Sequence, residues 1–260
     1  MKKIISLQNE NIKRIVKLRK AGKRKKSDSI IIEGKKEIEL ALSSEMKIIE
    51  FYFCPEIAGA FDFNIGENKI TEVSKAVFEK ISYREAPDGY LAIARPRYLN
   101  LAEISLNKKP LILVLENVEK PGNLGALLRT ALAAEIDLVI INDQQTDIYN
   151  PNVIRASRGA VFIVPVLNLS LEETKKFLKK NKIKSFAATG KAEKEYTEAD
   201  FTNSSAIVLG TESKGLSKEW LASADELIKI PMKGGIDSLN VSVSGAIIIY
   251  EALRQGRQLD

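Results

Sequence analysis

The chain has no histidine and a single cysteine, Cys54, among 260 residues. The first absence removes Ser-His-Asp hydrolysis, HExxH zinc sites and acid–base work by imidazole. The second removes disulfides and CxxC metal or redox pairs. Cys54 itself sits in the apolar run IIEFYFCP and reads as a buried structural thiol. No stretch approaches the ~18 apolar residues of a membrane span. The N-terminal MKKIISLQNENIKRIVKL lacks the apolar core and small-residue cleavage site of a secretory signal. A cytoplasmic protein without a membrane partner is expected. Neither GxGxxG nor GKS/GKT occurs, so neither a nicotinamide site nor a P-loop gains support. Catalysis, if any, falls to Arg, Lys, Asp, Glu, Ser, Thr, Asn, Tyr or backbone amides, and no metal is expected.

What is present describes a folded protein of one large or two ordinary domains. Hydrophobic residues make up 45% and charged residues 28%, enough for a core that needs neither metal nor disulfide. The net charge of +6 is unevenly placed. Residues 1–28 carry eleven Lys/Arg against Glu10 and Asp28, so that arm is +9 and the remainder −3. A basic arm on a nearly neutral body points to a polyanionic partner. Its densest run is Lys23, Arg24, Lys25 and Lys26.

Periodicity divides the chain in two. Residues 8–20 read as an amphipathic helix broken by AGKRKKSDS. A strand at SIIIEG, a helix at KKEIELALSS, a strand at IIEFYFC and a helix at KAVFEKIS follow. A Pro/Gly turn then leads into the apolar run YLAIARP, completing a small α/β domain over 1–95, with Phe51, Tyr52 and Phe53 as core. Residues 96–109 read as a linker. From Pro110 the rhythm is strand LILVLENV, helix GALLRTALAAE, strand IDLVIIND, short helix NVIRASRGA, strand VFIVPVL and helix SLEETKKFLKKN. Strands IKSFAATG, SAIVLG and ELIKIPM come next, with SKEWLASA helical between the last two and Trp220 as packing. A long helix, VSVSGAIIIYEALRQG, closes the chain. Strands with little polar alternation, separated by helices, predict a parallel sheet covered on both faces over 110–260.

Ligands of such sheets bind beyond the carboxyl ends of the strands, and three loops there stand out. ENVEKPGNLGALLRTA turns at Pro121 and Gly122 onto a helix, with Asn123 at or near its N-cap and Arg129 further along. That is equally an anion site with one guanidinium and an ordinary capped helix. IVLGTESKGLS ends a buried strand at Gly210, and its glycines permit close approach of a bulky ligand or simply a tight turn. IKIPMKGGIDSLNVSVSGA brings Ser238, Asn240, Ser242 and Ser244 to one helix start, more polar groups than a single cap uses.

PGNLGALLRTA, VLGTESKGLS and IPMKGGIDSLNVSVSGA, in that order, resemble the three signature motifs of the SpoU (TrmH) family, RNA ribose 2′-O-methyltransferases of the SPOUT class. IIIEGKKEIELAL, the FYF strand and APDGYLAIA resemble the family's L30e-like substrate-binding domain. The resemblance implies a trefoil-knotted catalytic domain with S-adenosyl-L-methionine as cofactor. It places Gly210, Ile230 and Leu239 on that cofactor, with Thr211, Glu212 and Met232 beside them. Asn123, Arg129, Ser238 and Asn240 match the family's catalytic and RNA-contacting positions. It also implies a homodimer that uses the last helix, and RNA as partner, with 23S rRNA expected ahead of tRNA. A catalytically silent RNA-binding protein is the alternative. The resemblance makes Arg129 the base, yet a guanidinium stays protonated and donates only. Gripping the neighbouring phosphate fits its chemistry more easily. The basic arm then holds the RNA backbone, each phosphate contributing about −0.7 to the log–log salt slope.

Overall fold

A computed structural model describes residues 2–61, 63–211 and 214–256. These fall into two compact units, one of residues up to 97 together with 147–163, the other of 98–146 and 164 onward.

The first unit begins with β1 (Lys2–Ile4), α1 (Glu10–Lys17), α2 (Ala21–Ser27), β2 (Ile30–Glu33) and α3 (Lys35–Ser43). It continues with β3 (Ile48–Phe53), α4 (Pro55–Ala58), β4 (Ile70–Val73), α5 (Lys75–Ile81) and β5 (Tyr90–Ala94). The sheet order is β1-β4-β3-β5-β2, with β1, β4 and β3 mutually parallel and β5 antiparallel to both β3 and β2. Phe51 packs edge-on against Phe61, and Phe53 stacks on Tyr90, so the FYF aromatics are core. Cys54 is fully buried, and burial pushes its thiol pKa up. β1 and β4 escape the periodicity reading because both are short and carry exposed or half-exposed polar residues. AGKRKKSDS is itself helical, the break falling before it at residues 18–20, where Lys20 is extended. Its Ala, Lys and Arg are good helix formers, and they make α2, which stops only where Asp28 turns left-handed at φ 46°.

The second unit opens with β6 (Leu111–Glu116), α6 (Pro121–Ala133) and β7 (Leu138–Asn142). After α7 (Pro151–Ser157), which belongs to the first unit, come β8 (Val166–Leu169), α8 (Leu171–Lys180), β9 (Lys184–Ala188) and β10 (Ser205–Leu209). The chain finishes with α9 (Lys218–Ser223), β11 (Glu226–Ile228) and α10 (Val241–Gly256). The strand order is β11-β9-β10-β6-β7-β8 and every pairing is parallel. All residues of β6, β7 and β10 are buried. This explains the unbroken apolar runs, each buried Leu, Ile or Val contributing about 1.5–3 kcal/mol. VFIVPVL does not form one strand. Gly159 at φ 85° starts a single 3-10 turn over Ala160–Phe162, and the strand resumes only after Pro165. Among the described residues no helix is long and apolar enough to cross a membrane.

Residues 147–163 join the first unit through specific contacts. Gly159 lies so close to α3 that a Cβ there would sit 2.9 Å from Leu40 Cδ1 and 3.2 Å from Glu37 Cα. Arg24, one of the four cations assigned to RNA from the sequence, is only 3% exposed. It donates to Asp147 Oδ2 at 2.6 and 3.0 Å and to the carbonyl oxygens of Leu18 and Arg19. Its charge is therefore spent inside the protein, whereas Lys23, Lys25 and Lys26 are exposed. Breaking a buried pair costs about 3–5 kcal/mol, and Asp147, 27% exposed, recovers part of this from water. Arg24→Ala is expected to cost about 2–3 kcal/mol. The check is a lower urea midpoint at unchanged m-value, with Lys25→Ala showing no such shift.

Candidate cofactor and ribose site

The sheet delivers three loops to one edge. β6 ends at Glu116, and the chain turns through Asn117 in the left-handed region at φ 53°, which asparagine tolerates. α6 then starts with Pro121 as its first residue and Lys120 as N-cap. Asn123 is thus the third helical residue and not the cap; proline suits the first position because it has no N–H to satisfy. Arg129 lies a turn and a half later, exposed, with no hydrogen bond or ion pair among the described residues.

β10 is the direct neighbour of β6, with Leu209 in register with Leu115. At its end the chain folds tightly back. Thr211 and Gly215 exchange two backbone hydrogen bonds of 3.1 Å, and Thr211 Oγ1 accepts from the Lys214 N–H at 2.9 Å. Gly215 is left-handed at φ 68°. A Cβ on Gly210 would fall 2.3 Å from Gly215 C and 2.4 Å from Leu216 N. Glycine is demanded there by the protein's own returning backbone. Ser217 then caps α9, its Oγ accepting from the Trp220 N–H.

This loop is anchored from beneath by polar groups that sequence reading passed over. Glu116, 3% exposed, accepts from the Ser217 N–H at 2.8 Å. Trp220 is core, as expected, but its Nε1 also donates to Asn142 Oδ1 at 3.2 Å. Asn142 Nδ2 in turn donates to Leu169 O and Thr174 Oγ1. The ends of β6, β7, β8 and β10 are therefore cross-linked. The available signal was a polar residue at the last position of an otherwise apolar strand, Glu116 in LILVLE and Asn142 in LVIIN.

The third loop travels furthest. It leaves β11 at the sheet edge and runs through residues 229–240 to α10. Asn240 Nδ2 donates to Asn123 Oδ1 at 3.1 Å, so the loop ends over α6. With strands ~4.8 Å apart, it spans the carboxyl ends of β9 and β10 to get there. Its passage is visible at Gly190, where a Cβ would lie 4.0 Å from Asp237 O. Asn240 Oδ1 accepts from Ser242 N and Oγ at 2.9 and 2.6 Å, making Asn240 the cap of α10. Gly245 completes the docking. A Cβ there would meet Leu127 Cδ2 at 2.5 Å and Leu209 Cδ1 at 2.9 Å.

Of the expected catalytic set, Asn123 and Asn240 are in direct contact. Ser238 is exposed two residues before Asn240, outside any helix, and Arg129 is exposed on α6. Of the expected cofactor set, Gly210 and Thr211 form the turn after β10, while Ile230, Met232 and Leu239 are half-buried along the crossing segment. Glu212 lies outside the described residues. Among the described residues no three His, Cys, Asp or Glu side chains gather as a metal site.

Loops that converge beyond the carboxyl ends of the central strands of a parallel sheet stand where α/β domains bind their ligands. Residues 110–250 match the SpoU rRNA Methylase family, and residues 9–92 the MRM3-like substrate binding domain. The chain is 29% identical over 250 residues to the 23S rRNA (guanosine(2553)-2′-O)-methyltransferase RlmP of Bacillus subtilis, covering 96% of this chain and 98% of that one. Its fold is that of a crystallised RNA 2′-O ribose methyltransferase, with TM-score 0.85, 38% identity and coverage of 97% and 98%. It is equally that of an AdoMet-bound rRNA methyltransferase from Sinorhizobium meliloti, with TM-score 0.87, 27% identity and 97% coverage of both chains. The chain belongs to the SpoU rRNA methylase family, and its N-terminal part is a substrate-binding domain of the MRM3-like kind.

The Gly210 geometry yields a direct test. Gly210→Ala forces Gly215 and Leu216 away from β10, because the colliding atoms are backbone and cannot rotate aside. Calorimetry should show loss of S-adenosylhomocysteine binding while the buried β6–β7–β10 core still unfolds cooperatively. Retained binding would separate this turn from the cofactor.

Proposed function

We propose that the chain transfers the methyl group of S-adenosylmethionine to a ribose 2′-hydroxyl of 23S rRNA. The observation that carries this is the Asn240–Asn123 hydrogen bond. It closes the segment that carries Ile230, Met232 and Leu239 onto α6, which follows β6, the direct neighbour of β10 and its Gly210–Thr211 turn. The Bacillus subtilis relative is named for 23S rRNA, which favours rRNA over tRNA.

S-adenosylmethionine supplies an electrophilic methyl group on a sulfonium. The chain's own task is to seat the two reactants and to manage one proton. The backbone of Gly210, Ile230 and Leu239 forms the wall against the cofactor, with Thr211 and Met232 beside it. Asn123, Ser238 and Asn240 orient the ribose, and such orientation can supply about 7–11 kcal/mol of a barrier. Arg129 has no competing acid among the described residues. It grips the adjacent phosphate and stabilises charge developing on the 2′-oxygen as its proton leaves to solvent. A true base role would need a neutral guanidinium, which proteins do not provide.

The same reading includes a trefoil knot formed by the crossing segment, and sequence domains at 1–95 and 110–260 joined by a linker at 96–109, with residues 147–163 of the second belonging to the first compact unit. It includes a cytoplasmic location and a homodimer, and Val243 and Tyr250, each 47% exposed on α10, favour the dimer. Lys23, Lys25 and Lys26 hold RNA phosphates in this scheme, and Arg24 supports them from within.

The test is transfer of labelled methyl to ribosomal RNA and to tRNA. Arg129→Ala is expected to lose about 10²–10³-fold in turnover while binding S-adenosylhomocysteine as the wild type does. Full activity would remove Arg129 from the mechanism. Cofactor binding without transfer to any RNA would favour a silent RNA-binding protein, and transfer to tRNA alone would move the substrate.

A further inference from the structure

The first unit holds an aromatic ring whose surroundings are cationic, and nothing in the methyltransferase site accounts for it. Tyr83, in the loop after α5, is 38% exposed. Its hydroxyl accepts from Asn152 Nδ2 at 3.1 Å, which fixes the ring. The Arg19 guanidinium lies 5.8 Å from the ring centroid and that of Arg155 6.0 Å. The two arginines differ in freedom. Arg19 is half-buried and tied to the carbonyl oxygens of Lys80 and Ser82. Arg155 is exposed, and its one hydrogen bond among the described residues is to Asn152 Oδ1 at 3.2 Å.

Around this pair the exposed charge is cationic, since the Glu33 carboxylate against the loop is buried and taken up by Ser82 Oγ and the Tyr83 N–H. Lys20, Lys23, Lys25 and Lys26 on and before α2, and Arg155 and Arg158 on and just after α7, are all exposed. None has an acidic partner among the described residues, whereas Arg24 and Arg84 are neutralised by Asp147 and Glu37. The Arg24–Asp147 pair fastens α2 to the start of the 147–163 segment, and Arg19 and Arg155 meet on Tyr83. The six cations and the ring therefore belong to one region of the unit.

We propose that Tyr83 and Arg155 form a stacking station for an unpaired RNA base, with the flanking phosphates held by Lys20, Lys23, Lys25 and Lys26. This rests on the RNA-methyltransferase reading and extends it by naming where the substrate is gripped away from the reacting ribose. A base offers a π-face to the tyrosine and the guanidinium plane alike. An acidic polypeptide would satisfy the lysines but give the exposed ring nothing to stack on.

The experiment measures binding of a short fluorescein-labelled single-stranded RNA over a range of salt. Tyr83→Ala should weaken binding roughly 5- to 150-fold, the size of one base–aromatic stack, without changing the salt slope. Tyr83→Phe should restore it, because the ring and not the hydroxyl meets the base. Arg155→Ala, a fully surface change that leaves the fold alone, should weaken binding, because it removes the guanidinium face of the stack. S-adenosylhomocysteine binding should be the same in all three variants. RNA affinity unchanged in both Tyr83→Ala and Arg155→Ala overturns the station. Tyr83-dependent binding of a polyglutamate peptide as tight as that of RNA also overturns it. Tyr83-dependent RNA binding without methyl transfer leaves the station standing and fails the catalytic reading instead.

Discussion

The close approach of α10 to β10 and α6 at Gly245 governs the architecture of the second unit. α10 follows β11, which lies at the sheet edge, two strands away from β10. A helix packed there has no short way to reach Leu209 and Leu127. The connecting segment must cross the carboxyl ends of β9 and β10, and only a residue without a side chain lets the helix settle at that depth. The crossing makes the site. It carries the chain past Gly190 and sets Asn240 on Asn123. Filling the Gly245 position would cost about 1–3 kcal/mol as ordinary overpacking. The larger consequence would be geometric, because the cap of α10 and its partner on α6 would separate.

A crossing of this kind needs a firm floor, and buried polar groups provide it. Glu116, Asn142, Trp220, Thr174 and Ser217 form a chain of hydrogen bonds beneath the loops. Each would cost about 1–3 kcal/mol if left unpaired, so the network enforces one arrangement of the strand ends. The same logic appears in the first unit, where Arg24 satisfies two backbone carbonyls and Asp147 at once. In both places a buried polar residue fixes the position of a segment whose exposed neighbours are available for binding.

How much of this was legible in the sequence depends on the range of the interaction. The β6, β7 and β10 runs and the amphipathic helices announce themselves because burial and periodicity are local properties. Asn240 as a helix cap was within reach for the same reason. Asn123 is near the N-cap, as the sequence implies, but three residues past it, since Lys120 is the cap and Pro121 the first helical residue. VFIVPVL was misread because apolar composition does not distinguish a buried 3-10 turn from a strand. Gly210 and Gly245 were visible as glycines, but the atoms that exclude a Cβ come from Gly215, Leu127 and Leu209. No local pattern shows those encounters. Only the ordered set of three motifs, read as a family resemblance, joined the loops into one site.

The basic arm shows why charge counting alone misassigns residues. Lys23, Arg24, Lys25 and Lys26 look equivalent in sequence, yet α2 turns one of the four inward every 3.6 residues. The inward one is the arginine, whose planar fork can satisfy a carboxylate and two carbonyls together, as a lysine ammonium could not do as well. Its partner Asp147 comes from a segment that sequence continuity assigns to the second half of the chain. The substrate-binding unit is therefore not complete at residue 97. It takes α7 from within the methyltransferase sequence, and with it Asn152 and Arg155. A chain divided at the linker would separate Tyr83 from the two side chains that orient it.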